Sequence, residues 1–139
     1  MRILVATFIL LLLIGCDTYS SPTSVRRTAE QIESEEFNAL IKQDSINKQI
    51  TAAESLEVLL GDDPDENRVS LIINNSSNCN VIVRFAGEKS YNLPIPKNGR
   101  NFIVIPKGTY AMGANLCRSR FSSTKTFYDS ATMTLTEGQ

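Results

Sequence analysis

Hydrophobic positions change their period once along this chain. From Ala29 to Leu60 there is no Gly and no Pro, and Glu, Gln, Ala, Leu and Ile dominate. Ile46, Ile50, Ala53, Leu56 and Leu60 follow at spacings of four, three, three and four, which puts them on one helical face. Ile32, Phe37, Leu40 and Ile41 form a looser stripe ahead of them. Asp44-Ser45 reads as a cap for a second helix, and Thr51 with Glu54 matches a capping box. The expectation is one or two amphipathic helices, broken near Asp44. The segment reads as a spacer whose stripe packs on the chain's own domain or on itself, in preference to a partner-binding helix. Gly61 followed by Pro64 stops the helical pattern.

From Arg68 the period becomes two. Val69, Leu71 and Ile73 alternate with their neighbours, as do Val81, Val83 and Phe85. Tyr91 to Ile95, Phe102 to Ile105, Tyr110 to Ala114, Phe121 to Phe127 and Ala131 to Leu135 continue the series. Short strands with turn residues between them and no helix predict a small antiparallel β-sandwich of six or seven strands. Asn98-Gly99 reads as a hairpin turn, because both residues tolerate positive φ. Pro106-Lys107-Gly108 marks another turn, and Tyr110 two places after Gly108 resembles a tyrosine corner.

Before both regions lies Met1-Arg2, an apolar run from Ile3 to Ile14, then Gly15-Cys16. One positive charge, a short apolar run and a small residue is the layout of a secretory signal. The run is shorter than the roughly 17–25 residues a membrane span needs. Leu13-Ile14-Gly15-Cys16 resembles a bacterial lipobox, in which the Cys thiol is acylated and the chain is cut just before it. The other reading is an ordinary signal peptide with an incidental Cys. Acyl chains on one residue anchor stably, at about 0.8 kcal/mol per buried CH₂. This gives four expected segments: residues 1–15 a lipoprotein signal peptide, 16–28 a flexible tether, 29–67 an acidic helical segment and 68–139 a basic β-sandwich domain.

Charge sharpens that division. Residues 17–67 hold four Lys and Arg against twelve Asp and Glu, a balance of −8. Residues 68–139 hold nine against three, a balance of +6. Lys97, Arg100, Lys107, Arg118, Arg120 and Lys125 fall in or near expected turns and strand ends, and together make a candidate anion-binding face. Its expected partners are an envelope protein, an anionic glycan or lipid, or the chain's own acidic segment. Ordinary solubilising charge is the competing reading. Nucleic acid is not expected, since no aromatic stacking platform is evident.

With Cys16 assigned to lipid, Cys79 and Cys117 remain. In an oxidising compartment two Cys of one small domain most simply pair. The bond would close a loop of about 39 residues and contribute roughly 4 kcal/mol on the chain-entropy account. A redox-active pair is disfavoured, because there is no C-x-x-C and no His beside either thiol.

Catalytic chemistry finds little to work with. The chain has no His, which excludes the usual Ser-His-Asp and Cys-His systems and most zinc sites. Ser122-Ser123-Thr124-Lys125 contains S-x-x-K, but S-D-N and K-T-G are missing. The β region offers only Glu88, Asp129 and Glu137 as acids, too few and too turn-bound for a glycosidase pair. Asp62-Asp63-Pro64-Asp65-Glu66 lacks calcium-loop spacing and reads as a solvated linker. No catalytic residue, metal or cofactor is expected. Asp44-Ser45-Ile46 and Asp129-Ser130-Ala131 resemble the O-glycosylation sequon of exported Bacteroidetes proteins.

Several stretches, in order, resemble a family of Bacteroidetes lipoproteins with a domain of unknown function. They are Asn74-Asn75-Ser76-Ser77-Asn78-Cys79-Asn80, Tyr91-Asn92-Leu93-Pro94-Ile95-Pro96, Asn101-Phe102-Ile103-Val104-Ile105, Lys107-Gly108-Thr109-Tyr110 and Asn115-Leu116-Cys117, with Ser122-Ser123-Thr124-Lys125. The resemblance implies an exported β domain carrying Cys79 and Cys117, and it implies no activity. The leading expectation is a non-catalytic envelope lipoprotein, anchored to membrane through Cys16. An enzyme inhibitor, a toxin-immunity lipoprotein, or a small serine-type hydrolase using Ser122, Ser123 and Lys125 are the alternatives.

Overall fold

A computed structural model describes residues 27–138. One long helix, α1 (Ala29–Leu60), precedes seven strands: β1 (Arg68–Asn75), β2 (Val81–Ala86), β3 (Ser90–Ile95), β4 (Arg100–Pro106), β5 (Gly108–Leu116), β6 (Ser119–Phe127) and β7 (Ala131–Leu135). The strands form two sheets, ordered β4-β1-β7 and β3-β2-β5-β6. The fold is thus mainly β, and the sandwich expectation holds. The N-terminal signal, the Cys16 anchor and most of the tether lie outside the described residues.

The alternating patterns give the two sheets facing surfaces. Val69, Leu71 and Ile73 from β1 meet Val81, Val83 and Phe85 from β2, with Leu93, Ile95, Ile105, Met112, Leu116, Phe127 and Leu135 completing one core. Every strand runs opposite to the one before it. β1 and β7 are both odd-numbered, so where they become neighbours they pair in parallel, Leu71 with Ala131 through Asn75 with Leu135. All other pairings are antiparallel. The expected all-antiparallel sandwich therefore carries one parallel pair, created by the chain returning to the first sheet after β6.

Two expectations fail here for identifiable reasons. Asn98 does adopt positive φ, 50°, yet β3 and β4 belong to different sheets. The Asn98-Gly99 turn is a crossover between sheets, not a hairpin. The helix is not broken at Asp44. Ser45 Oγ instead donates back to Lys42 O (2.7 Å) and Thr51 Oγ1 to Asn47 O (3.1 Å). Both would-be caps satisfy themselves inside the helix. The working cap is Thr28, whose Oγ1 accepts from Gln31 N while Gln31 Oε1 accepts from Thr28 N, a reciprocal capping box. Gly61 closes the other end at φ 79°.

α1 docks through a face other than the expected stripe. Glu33, Glu36, Phe37, Leu40, Ile41, Asp44, Lys48, Thr51, Glu54, Ser55 and Val58 are the covered positions, a 3.6-residue period of mixed polarity. Phe37 is only 6% exposed, whereas Ile46 is 74%, Ile50 65% and Leu60 66% exposed. The sheets present polar side chains to much of the helix, so matching them outweighs hydrophobicity in setting its rotation. The tie is a series of cross-contacts. Arg84 on β2 meets Glu36 (2.6 Å) and Glu33 (3.6 Å), Asn101 on β4 meets Asp44 (3.1 Å), and Ser70 on β1 meets Ser55 (Oγ to Oγ, 2.5 Å). Lys48 reaches Asn101 Oδ1 and sits over the Phe102 ring, 4.3 Å from its centroid. The linker after α1 is pinned as well: Arg68 donates Nε and Nη2 to the two Asp63 oxygens at 2.9 and 2.7 Å.

Tyr110 fixes the corner between β4 and β5. Its hydroxyl donates to Pro106 O at 2.9 Å, closing the arrangement that Gly108-Thr109-Tyr110 suggests. Burial pushes its phenol pKa up. The ring lies where a side chain on Gly87 would go: a Cβ there would be 2.7 Å from Tyr110 Cδ1 and 3.0 Å from Thr109 O.

Gly87→Ala is therefore expected to destabilise by about 1–3 kcal/mol, because the tethered ring cannot retreat freely. A chemical-denaturation midpoint measures it, and an unchanged midpoint would refute the packing account. The Arg68 guanidinium holds the Asp63 carboxyl below its usual range. Its stabilising contribution is complete above the unfolded carboxylate pKa of about 3.9 and is lost as pH falls through the lower folded value. The stability difference between the native chain and Asp63→Asn should be constant above about pH 5 and shrink in acid.

Candidate functional site

Strand direction gathers three connections at one end of the sandwich: 76–80 between β1 and β2, 96–99 between β3 and β4, and 117–118 between β5 and β6. Buried Asn75 organises them. Its Nδ2 donates to Cys79 O (2.7 Å) and Pro96 O (3.0 Å), and its Oδ1 accepts from Ser77 N (3.0 Å) and Ser77 Oγ (2.7 Å). Asn75 N donates to Gly99 O at 2.8 Å and Asn98 N to Ser77 O at 3.0 Å. The Cys79–Cys117 disulfide, with Cα atoms 5.4 Å apart, ties the third connection to the first. This end is cross-linked by one covalent bond and by hydrogen bonds through residues of the Asn-rich run.

Asn101 does comparable work along the seam between sheets. It is 1% exposed. Its Nδ2 donates to Pro94 O on β3 at 2.7 Å and its Oδ1 accepts from Phe102 N on β4 at 2.9 Å. β3 and β4 are edge strands that do not pair with each other. One side chain thus serves a free edge group on each strand. The polar run around Asn75 and the Asn at the head of β4 are both visible in the sequence. Their roles are not, because a buried Asn differs from an exposed one only in what folds over it.

The six candidate cations do not form one face. Lys97, Arg100, Arg118 and Arg120 lie at or beside the loop end just described, while Lys107 and Lys125 lie at the opposite end of the sandwich. The ion pairs joining the acidic segment to the β domain run through Arg84 and Arg68 instead. Beside Arg100 is an open cleft of about 400 Å³ lined by Asn74, Asn75, Ser76, Asn98 and Gly99. A second, of about 250 Å³, lies between the start of α1 and the disulfide, with Glu33, Phe37, Ile82 and Asn115 on its walls. Glu33 Oε2 accepts from Asn115 Nδ2 at 2.7 Å. Its Oε1 has no hydrogen-bond partner among the described residues, with Arg84 3.6 Å away.

The S-x-x-K residues sit on β6, an edge strand. Ser122 and Lys125 are three apart on a strand, so they point to opposite faces of the sheet. Ser123 and Lys125 share a face with Phe121 and Phe127. A serine and lysine one helical turn apart, as that chemistry requires, is not what this strand provides. The Asp44-Ser45 and Asp129-Ser130 hydroxyls are both engaged, Ser130 Oγ accepting from Ser70 N at 2.9 Å. Among the described residues no group of three or more Cys, Asp or Glu side chains gathers as a metal site. None of the described helices is long and apolar enough to cross a membrane.

A family model described as a domain of unknown function, DUF6759, matches residues 31–138. The chain belongs to this family. The match begins inside α1 and ends after β7, so the helix is part of the DUF6759 unit and not a spacer ahead of it. No curated protein matches the chain.

If Asn101 bridges the seam of the DUF6759 domain as described, Asn101→Ala leaves a buried carbonyl and a buried amide unpaired. The expected loss is about 2 kcal/mol or more. Amide hydrogen exchange should also quicken along β3 and β4 more than along β5 and β6. Uniform quickening across both sheets would speak against a local bridging role.

Proposed function

We propose that this protein is a non-catalytic, lipid-anchored component of the bacterial cell envelope, of Bacteroidetes origin. Its disulfide-stapled head binds an envelope protein or an anionic glycan or lipid. The observation that carries this reading is the Cys79–Cys117 bond within a β domain of about 70 residues. Such a bond persists in oxidising compartments, and a small core gains most from a staple. Support also comes from Leu13-Ile14-Gly15-Cys16 behind a short apolar run. In this reading the chain is cut before Cys16 and the new terminal Cys carries acyl chains, palmitate among them. The residues from Asp17 to Thr28 then tether the head to the membrane.

The loop end is the surface offered for binding. It holds Lys97 and Arg118 on connections tied by Asn75 and the disulfide, with Arg100 and Arg120 at the adjoining strand ends. Fixed cationic loops attract an anionic partner without ordering themselves on binding. Lys107 and Lys125 lie at the far end and take no part. A serine-hydrolase role draws no support from β6, where Ser122 and Lys125 face opposite ways.

Cells expressing the full chain with labelled palmitate should show label on the native protein and none on Cys16→Ser. A native chain that takes no label would overturn the anchor. Chemical crosslinking in the same cells, followed by mass identification, should recover a neighbour from the native head. A combined Arg118→Glu and Arg120→Glu variant should recover it several-fold less. Equal recovery would remove the cationic loop end from the proposal while leaving the anchor standing.

A further inference from the structure

Six of the seven large apolar side chains exposed among the described residues belong to α1. Three of them, Ile32, Ile46 and Leu60, fall with Ala39 and Ala53 at an unbroken seven-residue interval. Ile50 and Leu56 flank this line. Seven residues fall about 20° short of two full turns, so the line drifts slowly along the helix and stays opposite the docked face of Phe37, Asp44, Ser55 and Val58. The β domain therefore sits behind α1, and the heptad line faces outward over about 40 Å.

We propose that this face pairs with the same face of a second copy, as an antiparallel two-helix coiled coil. Three features select that occupant. The line alternates large and small: Ile32, Ala39, Ile46, Ala53, Leu60. Placing a two-fold axis between residues 49 and 50 sets Ile46 level with the partner's Ala53 and Leu60 level with the partner's Ala39. Ile46 and Leu60 then each meet a small side chain, while Ile32 lies beyond the overlap of the two helices. A parallel, in-register pair would face Ala with Ala and leave gaps.

Charge agrees with the same register. Lys42 comes level with the partner's Glu57, whereas a parallel pair would set Lys42 against Lys42 and Glu35 against Glu35. Charge also argues against a lipid surface as the occupant. Interfacial helices carry Lys and Arg beside the apolar face, but here the exposed Glu35 and Glu57 outnumber Lys42. Ile50 falls beside its own copy across the axis, adding an apolar contact at the centre.

Single cysteines in the full-length chain read the arrangement. Ala39→Cys and Leu60→Cys, purified, mixed and oxidised, should give a disulfide-linked dimer. Neither should give one alone, since like positions lie about 30 Å apart. Ile46→Glu, at an exposed position, should leave far-UV circular dichroism unchanged and weaken self-association by more than about tenfold. Lys42→Glu should weaken it too, and Lys42→Glu with Glu57→Lys should restore it. A dimer from Leu60→Cys alone would mean parallel pairing and overturn the proposal. So would a monomeric parent chain by sedimentation at high micromolar concentration, which would leave the face to a different protein or to lipid.

Discussion

The two sheets of this sandwich do not close on one side, and most of the polar architecture answers that fact. β3 and β4 follow each other in sequence but lie at the edges of different sheets. Where they meet, a ladder is missing. Asn101 supplies a bond to each strand, and Pro94, paired with Ile82, removes one edge amide that would otherwise need a partner. α1 then lies across the seam. Its first half is tied to the four-stranded sheet through Arg84 and Asn115, its middle to β3 and β4, and its last turns to β1 through Ser55 and Ser70. The helix splints two sheets that share a core but few hydrogen bonds.

That role explains why the covered face of α1 is so polar. The outer surfaces of the strands beneath it offer Ser70, Arg84 and Asn115, and Asn101 meets it at the open seam. A fully apolar helix face would have left these groups without partners, at a cost of about 1–3 kcal/mol for each buried one. Pairing them leaves the helix's own apolar residues with nowhere to go on this domain except at Phe37 and its neighbours. The exposed heptad line follows from the splint, since one cylinder cannot turn both faces to the same surface.

The same fact marks the limit of what could be read from the chain beforehand. Strand positions were legible because a buried and a more solvated face give a period near two in most of them, and all seven strands lie where short apolar runs stand between turn residues. The Gly61 stop was legible because few other residues take left-handed φ so cheaply. The rotation of α1 was not, because hydrophobicity along it points outward and only the unseen polar groups of the sheets say otherwise. The false break at Asp44 has a related origin. Asp44 is a good cap by type, but its carboxylate is used on Lys48 one turn on and on Asn101 across the fold. The cationic residues failed as a single face because strand direction, which alternation alone does not reveal, sends Lys107 and Lys125 to the far end.

The loop end and the seam share one device, a buried Asn whose two-sided amide stands in for a missing stretch of ladder. A carboxamide both donates and accepts, so it can serve a carbonyl and an amide at once, as a carboxylate or an ammonium cannot. Asn75 does this for connections, Asn101 for edges. With the disulfide added, three connections are held by both hydrogen bonds and a covalent link, although loops are ordinarily the most mobile parts of a fold. Cross-linked loops bearing cations and a long helix bearing an exposed apolar line are different kinds of surface. In the proposals made above, the first would meet a charged partner and the second a like chain. An antiparallel pair of helices would hold two heads back to back and leave both loop ends free.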